Sequence, residues 1–364
     1  MSVAITKAGP YYASGAISFS SLRTNFKESG SGSISASELR RNTTTSDTNP
    51  IVPDATENAS VSTNSNLVLS QFRNTIKYYY ITQTAIDLNF NIGAQSWNSN
   101  LNKNIRKWAY INGTCGSNSA SSSASTLTTT VHNLTIDVSG IIYGAGGPGG
   151  TLSTISGTTG GTALSITNSS GSNLVVNVQS TANIYGGGGG GEKGTKGADG
   201  LGGTCSDSYS PGAACGSCPS CEGSYTLTRC WTGEGCGKRK VYGCWGDQWW
   251  ATSSWYHYGT CSRTYAVSGG VGGEGGDGKL GRGYNNLIGD LTGTTGSPGG
   301  ANNGCGSTDG NTGETGGNGG DWGSAGGNTT NTGNGEIAGT AISGSNYTIT
   351  GIINYSTIRG TYSS

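Results

Sequence analysis

The stretch Ile184-Tyr185-Gly186-Gly187-Gly188-Gly189-Gly190-Gly191-Glu192-Lys193-Gly194-Thr195-Lys196-Gly197-Ala198-Asp199-Gly200-Leu201-Gly202-Gly203 decides how this chain is read. Six consecutive glycines open it, and glycine then keeps returning at every third position through Gly188, Gly191, Gly194, Gly197 and Gly200. A period of three belongs to neither the α-helix nor the β-strand. It is the turn of a polyproline-II helix, which rises about 3.1 Å per residue. That helix has no internal hydrogen bonds, so its N–H and C=O groups need partners on neighbouring chain. Glycine at every third position lets that neighbour approach. The same spacing recurs at Gly269, Gly272, Gly275, Gly278 and Gly281, at Gly310, Gly313, Gly316 and Gly319, and in shorter pieces around Gly147 and Gly296. Side-by-side polyglycine-II helices are therefore expected. Collagen shares the spacing but needs abundant proline, and this chain has 7 prolines, none between Gly188 and Gly203. A flexible linker is the other alternative, but the tracts recur beside β-like segments and carry few serines.

Glycine makes up 68 of 364 residues, well above the usual ~7%. Charged residues are only 11%, with 20 basic against 20 acidic. That balance offers nothing to attract nucleic acid or a membrane surface. No apolar run approaches the ~18 residues of a membrane span. Met1–Pro10 lacks the apolar core of a secretory signal, so synthesis in a cytoplasm is expected.

Three regions are expected. Residues 1–80 form an N-terminal repeat and attachment region, 81–133 a β-rich connector, and 134–364 a glycine-rich domain interrupted by an insert at 204–265. In the first region Ile17-Ser18-Phe19-Ser20-Ser21-Leu22-Arg23 is matched by Ile34-Ser35-Ala36-Ser37-Glu38-Leu39-Arg40, and more loosely by Leu67-Val68-Leu69-Ser70-Gln71-Phe72-Arg73. Each copy reads as a short strand, a serine able to cap a helical turn, then an apolar residue and an arginine. The copies are either local packing modules or three similar docking contacts. In the connector Trp97 and Trp108 are read as core aromatics, with an interface as the alternative. From Leu134 a larger repeat begins: Leu134–Tyr143 runs into glycine at Gly144, and Asn173–Tyr185 runs into glycine at Gly186. Tyr347–Arg359 is a further alternating stretch.

The insert breaks the pattern. It holds eight of the 10 cysteines, Cys205, Cys215, Cys218, Cys221, Cys230, Cys236, Cys244 and Cys261. Such density marks a disulfide-stapled unit whose pairing the sequence leaves open. Zinc is the alternative at Cys215, Cys218 and Cys221, but no second Cys-x2-Cys follows, and no metal or cofactor is assigned. Cys115 and Cys305 either pair with each other or stay reduced. Bridges would have to wait until the chain leaves a reducing cytoplasm. Trp245, Trp249, Trp250, Trp255, Tyr256, His257 and Tyr258 are candidate receptor contacts, because exposed rings stack on sugars and anchor protein interfaces. Packing around the disulfides is the plainer reading of those rings. Lys238, Arg239 and Lys240 form a short basic run, ordinarily a solvated one.

At Ile142-Tyr143-Gly144-Ala145-Gly146-Gly147-Pro148-Gly149-Gly150 and at Ile184–Gly191 the chain resembles the receptor-binding adhesins that cap the long tail fibres of T-even-type bacteriophages. The resemblance covers roughly Leu134 to Arg359. It implies an N-terminal fibre-attachment part and layers of polyglycine-II helices between β-sheets, with host-contacting loops at one end. By position those loops are 204–265, with further segments around 280–291 and 302–309. The N-terminal repeats also look like modules of tail and structural proteins from cyanobacterial and other marine myoviruses. The expected fold is thus mainly β with polyglycine-II helices, a layered glycine/β sandwich carrying a disulfide-rich distal insert. The expected function is a non-enzymatic virion adhesin for a bacterial outer-membrane protein or lipopolysaccharide. It would mount on other fibre proteins, as a monomer on a trimeric fibre or as a homotrimer. A structural appendage protein is the alternative. A surface-polysaccharide depolymerase is the weakest, because its usual paired carboxylates cannot be singled out; Glu222 and Glu234 sit in the insert with nothing to place them together.

Overall fold

Strands such as Leu134–Val138 and Leu174–Val178 alternate buried with half-buried residues, every second side chain lying on one buried face. In the computed structural model these alternations build three sheets. The structure describes residues 6–8, 16–27, 33–42, 52–53, 55–64, 66–95, 97, 105–211, 214–215, 220–235, 238–243, 246–251, 255–330 and 335–362. The chain divides into two compact units: Met1–Thr195 with Gly276–Thr295 and Thr315–Ser364, and Lys196–Gly275 with Gly296–Glu314.

In the first unit the sheets are wound rather than layered as a sandwich. Strands Tyr78–Gln83, Arg106–Ile111, Leu134–Val138, Leu174–Val178 and Tyr347–Gly351 pair in parallel, in that order. So do Ile86–Leu88, Thr114–Gly116, Ile141–Tyr143, Asn183–Tyr185 and Ile358–Arg359. Phe90–Asn91, Ser125–Leu127, Leu164–Ile166 and Ile342–Gly344 make the third sheet. The chain thus passes from sheet to sheet and returns one strand further on. Each new coil lies parallel to the last. The pairing also crosses residue 133 without a break.

In-register columns of side chains fill the coil. Ile81, Ala109, Ile136 and Val176 occupy successive paired positions and are fully buried. The neighbouring column contains Lys107 between Tyr79 and Leu134. Its Nζ donates to the carbonyls of Ile105 (3.0 Å) and His132 (2.9 Å). Burial lowers its pKa from 10.5 to about 7. Because Lys107 points inward, Trp108 and Tyr110 point outward, stacked at 5.7 Å, so Trp108 is not a core residue. Trp97 is buried, donating Nε1–H to the Ile92 carbonyl at 2.9 Å.

At the entry to three strands the chain turns through an asparagine in the left-handed region: Asn133 (φ 50°), Asn173 (φ 55°) and Asn346 (φ 61°). Asparagine tolerates that conformation better than most side chains. The Asn173 amide donates to Asn133 Oδ1 at 3.1 Å, joining one turn to the next.

The N-terminal copies converge on one small core. Leu22, Leu39 and Phe72, at equivalent places in the three repeats, are buried together with Phe26, Val52 and Val61. Ile17, Ile34 and Leu67 pack against that cluster. Ser18 starts the helix Phe19–Lys27, its carbonyl accepting from Leu22 N at 3.0 Å. Ser35 and Glu38 form a reciprocal cap: Ser35 N donates to Glu38 Oε2 (2.7 Å) and Glu38 N donates to Ser35 Oγ (3.3 Å).

From Gly186 to Gly202 the chain has no strand pairing, yet its backbone is engaged. Gly187, Gly190 and Lys193 donate to Gly161, Thr158 and Ile155, each at 2.9 Å. Gly188, Gly191 and Gly194 donate instead to Arg282, Lys279 and Gly276, at 2.7, 2.9 and 2.8 Å. Gly189 and Glu192 donate to Ser324 and Gly327, both at 3.0 Å. The carbonyls repeat the cycle. Gly188 and Gly191 accept from Gly147 and Gly150, Gly189 and Glu192 from Gly320 and Gly317, and Gly187 and Gly190 from Gly339 and Glu336. One segment is thereby hydrogen-bonded to six others, three accepting from it and three donating to it. The approach admits no side chain: a Cβ on Gly190 would stand 1.8 Å from the Pro148 carbonyl oxygen.

Candidate functional site

The second unit carries the same three-residue cycle in its own tracts. Gly197 and Gly200 donate to Gly273 (2.8 Å) and Gly270 (2.7 Å), and Gly270 and Gly273 donate in turn to Thr308 (2.9 Å) and Asn311 (2.8 Å). Gly272 N–H donates to Asp199 Oδ1 at 2.8 Å. That bond, with Lys196 at 3.0 Å, holds the Asp199 carboxyl below its ordinary pKa. A Cβ on Gly269 would fall 2.0 Å from the Gly200 oxygen, and Gly275 lies in the same stretch. Of the remaining predicted scaffold positions, Gly278, in the first unit, donates to the Gly150 carbonyl at 2.9 Å.

From this base the insert rises as an antiparallel sheet. Strand Trp255–Val267 runs through its centre, with Gly203–Tyr209 and Ala214–Cys215 along one edge and Thr226–Gly235 along the other. Lys238–Gly243 and Gly246–Ala251 form a separate hairpin. The sheet's two faces differ. On one, Cys221 is bridged to Cys261, and Tyr225 meets Tyr209 edge-on at 5.0 Å. Arg263 lies between the rings of Tyr225 (4.6 Å) and Tyr265 (4.8 Å) and pairs with Asp207 at 3.2 Å. On the other, Trp231 stands directly across from Tyr258, their rings stacked at 5.9 Å, and the Arg229 guanidinium covers Trp231 at 5.5 Å. Trp231 and Tyr258 are exposed by 42% and 38%.

The cysteines follow the expected chemistry with one correction. Cys205 pairs with Cys305, across 100 residues of sequence, so Cys305 is not the partner of Cys115. The Cys115 thiol is free, buried in the first unit, and raised by burial to about 12. Its column neighbour in the sheet is Asp87, which also raises it. Cys230 is disulfide-bonded as well. Cys218, Cys236, Cys244 and Trp245 lie outside the described residues. For Cys215, Trp249, Trp250, Trp255, Tyr256 and His257 the backbone is described and lies in strands, but not the side chains. Tyr258 is the one candidate contact whose side chain is placed. The sequence reading passed over Arg229 and Trp231. Their signal was the alternation Arg229-Cys230-Trp231, which puts the outer two residues on one face and the cysteine on the other. Among the described residues no group of three or more His, Cys, Asp or Glu side chains is placed to hold a metal ion. None of their helices is long and apolar enough to cross a membrane.

Residues 75–249 match the model of the family described as phage tail fibre adhesin Gp38. The described strands from Tyr78 to Gly243 fall within that span, so the match takes in coils, the glycine tract after Tyr185 and most of the insert. No curated protein matches the chain. Among solved structures it is similar to the gp37-gp38 adhesin tip complex of the bacteriophage S16 long tail fiber, at 17% identity and a TM-score of 0.34. That similarity covers 82% of this chain and 88% of the other. The family match defines the class: a phage tail-fibre adhesin, a receptor-binding protein of the virion tail. The matched residues 75–249 are just under half of the 364-residue chain, and over them it is similar to the Gp38 adhesins.

Proposed function

We propose that the chain recognises a receptor on the bacterial surface, an outer-membrane protein or lipopolysaccharide, through segments displayed on a rigid frame of polyglycine-II helices. The observation that carries this reading is the three-residue cycle of hydrogen bonds around Gly186–Gly194, in which successive residues address different neighbours. A three-fold extended helix is the backbone form that turns its amides through three directions in three residues. Main-chain bonding of this kind holds the tracts with almost no side chains, which leaves the connecting segments free to differ and to bind. The insert 204–265 is the longest such connection, and its aromatic residues, Trp245, Trp249, Trp250, Trp255, Tyr256, His257 and Tyr258, are the proposed contacts. The three N-terminal modules are the proposed mount on other virion proteins, one copy of this chain on a trimeric fibre being the simplest arrangement. The protein acts by binding, without catalysis.

A protein in which residues 204–265 are replaced by a short glycine-serine linker tests this. The parent, added in excess to bacteria, is expected to block adsorption of the phage. The shortened protein should remain soluble and lose that block. Equal competition by both proteins would remove the insert from the role given to it here.

A further inference from the structure

We propose that Arg229, Trp231 and Tyr258 form a binding platform for an anionic sugar, so that the ligand class of the insert is an acidic glycan. This rests on the reading of the insert as the receptor-contacting segment. Trp231 and Tyr258 face each other across neighbouring strands with rings 20° from parallel, a flat aromatic surface open to solvent. A pyranose ring offers the complementary shape: one face of C–H groups that packs on an aromatic ring and an edge of hydroxyls that seeks polar partners. Those partners stand beside the platform on the same sheet face. Thr260 pairs with Arg229, Ser262 pairs with Thr226, and the Ser262 hydroxyl bonds to Thr228 Oγ1 at 3.0 Å.

Charge selects the kind of sugar. On the opposite face Arg263 is neutralised by Asp207 at 3.2 Å and enclosed by two tyrosines. Arg229 is exposed, and among the described residues no carboxylate meets it; its guanidinium lies over the Trp231 ring. A guanidinium held in place by a ring, with its donors outward, suits a carboxylate or phosphate on the bound sugar. Behind the platform, Cys230 points to the other face and is disulfide-bonded, which fixes the strand that carries both Arg229 and Trp231. A purely apolar protein partner would leave the Arg229 charge desolvated and unpaired, at a cost.

The test uses the full chain in native gels containing polygalacturonate (carboxylate), phosphomannan (phosphate) or neutral dextran. Retardation by one of the anionic polymers and not by dextran is expected, and which polymer acts identifies the acidic group. Trp231→Ala should weaken that retardation about tenfold and Trp231→Phe much less, as loss and retention of a stacking face require. Arg229→Gln should weaken it about fivefold and flatten its dependence on salt. No retardation by either anionic polymer, or equal retardation of the parent and Arg229→Gln, overturns the proposal. Fluorescent parent protein applied to a phage-sensitive strain separates the two readings. Cells labelled equally by the parent and Trp231→Ala point to a protein receptor and overturn the glycan platform alone. Cells labelled by neither remove the receptor-contacting role itself.

Discussion

The coils and glycine tracts of the first unit and the antiparallel insert of the second solve one problem by opposite means. Around Gly186–Gly194 the chain is fixed by its own amides, each bonded to another segment, and at Gly186–Gly191 the space has no room for a Cβ. In the insert it is fixed by side chains: the bridges Cys205–Cys305 and Cys221–Cys261, the Tyr225–Arg263–Tyr265 stack and the Asp207 ion pair. The difference shows where this protein tolerates variation. A frame bonded through its main chain has no room for a methyl group. A sheet held by a few covalent staples can change the residues between them and keep its shape.

The largest effect should come from breaking the frame. Gly190→Ala places a methyl carbon 1.8 Å from the Pro148 oxygen, a main-chain atom that cannot swing aside. A loss of more than about 4 kcal/mol is expected, seen as loss of soluble protein or a collapse of the melting temperature. A variant melting within about 2 °C of the parent would mean that the tracts are not packed as described.

Reduction comes next and should act on the other region. Each long-range bridge of the insert contributes about 3 kcal/mol by limiting the unfolded chain. The described part of the first unit holds only the free Cys115. A reductant should therefore speed hydrogen exchange across 203–267 and leave 134–194 protected. Uniform loosening of both would deny the division.

The smallest effect sharpens the contrast through pH. Because burial lowers Lys107 from 10.5 to about 7, the unfolded chain keeps a proton between those values that the folded chain has released. Stability therefore rises as pH climbs from about 7 towards 10.5, and the burden of the buried amine is felt in full below 7. Lys107→Met, close in volume, should remove this slope and stabilise the first unit at neutral pH by about 2 kcal/mol. Denaturant midpoints at pH 7 and 10 measure it. An unchanged slope would show that Lys107 is not the group responsible.

The candidate site was partly legible. Cysteine density identified the insert as stapled, and its aromatic content identified it as more than a linker. Pairing was not legible: Cys305 lies 100 residues from Cys205, and the stretch between them gives no local sign of the bridge. The platform was missed because Arg229 and Trp231 become neighbours of Tyr258 only through strand register, which shifts at Thr228. In the coils, the asparagines before Leu134, Leu174 and Tyr347 were visible as residues. Their left-handed turns take on meaning only when the strands stack.

By itself the sequence determined the glycine frame, because a three-residue glycine period excludes helix and strand and demands main-chain partners. It also determined the alternating strands and the bridged insert, since both are local patterns. Only the tertiary structure decided which segments became those partners, that the strands wind in parallel coils instead of a sandwich, and which cysteines meet. Main-chain hydrogen bonds are the same for every glycine. Nothing in a run of identical residues names its neighbour, and the choice falls to the topology that brings six segments around one.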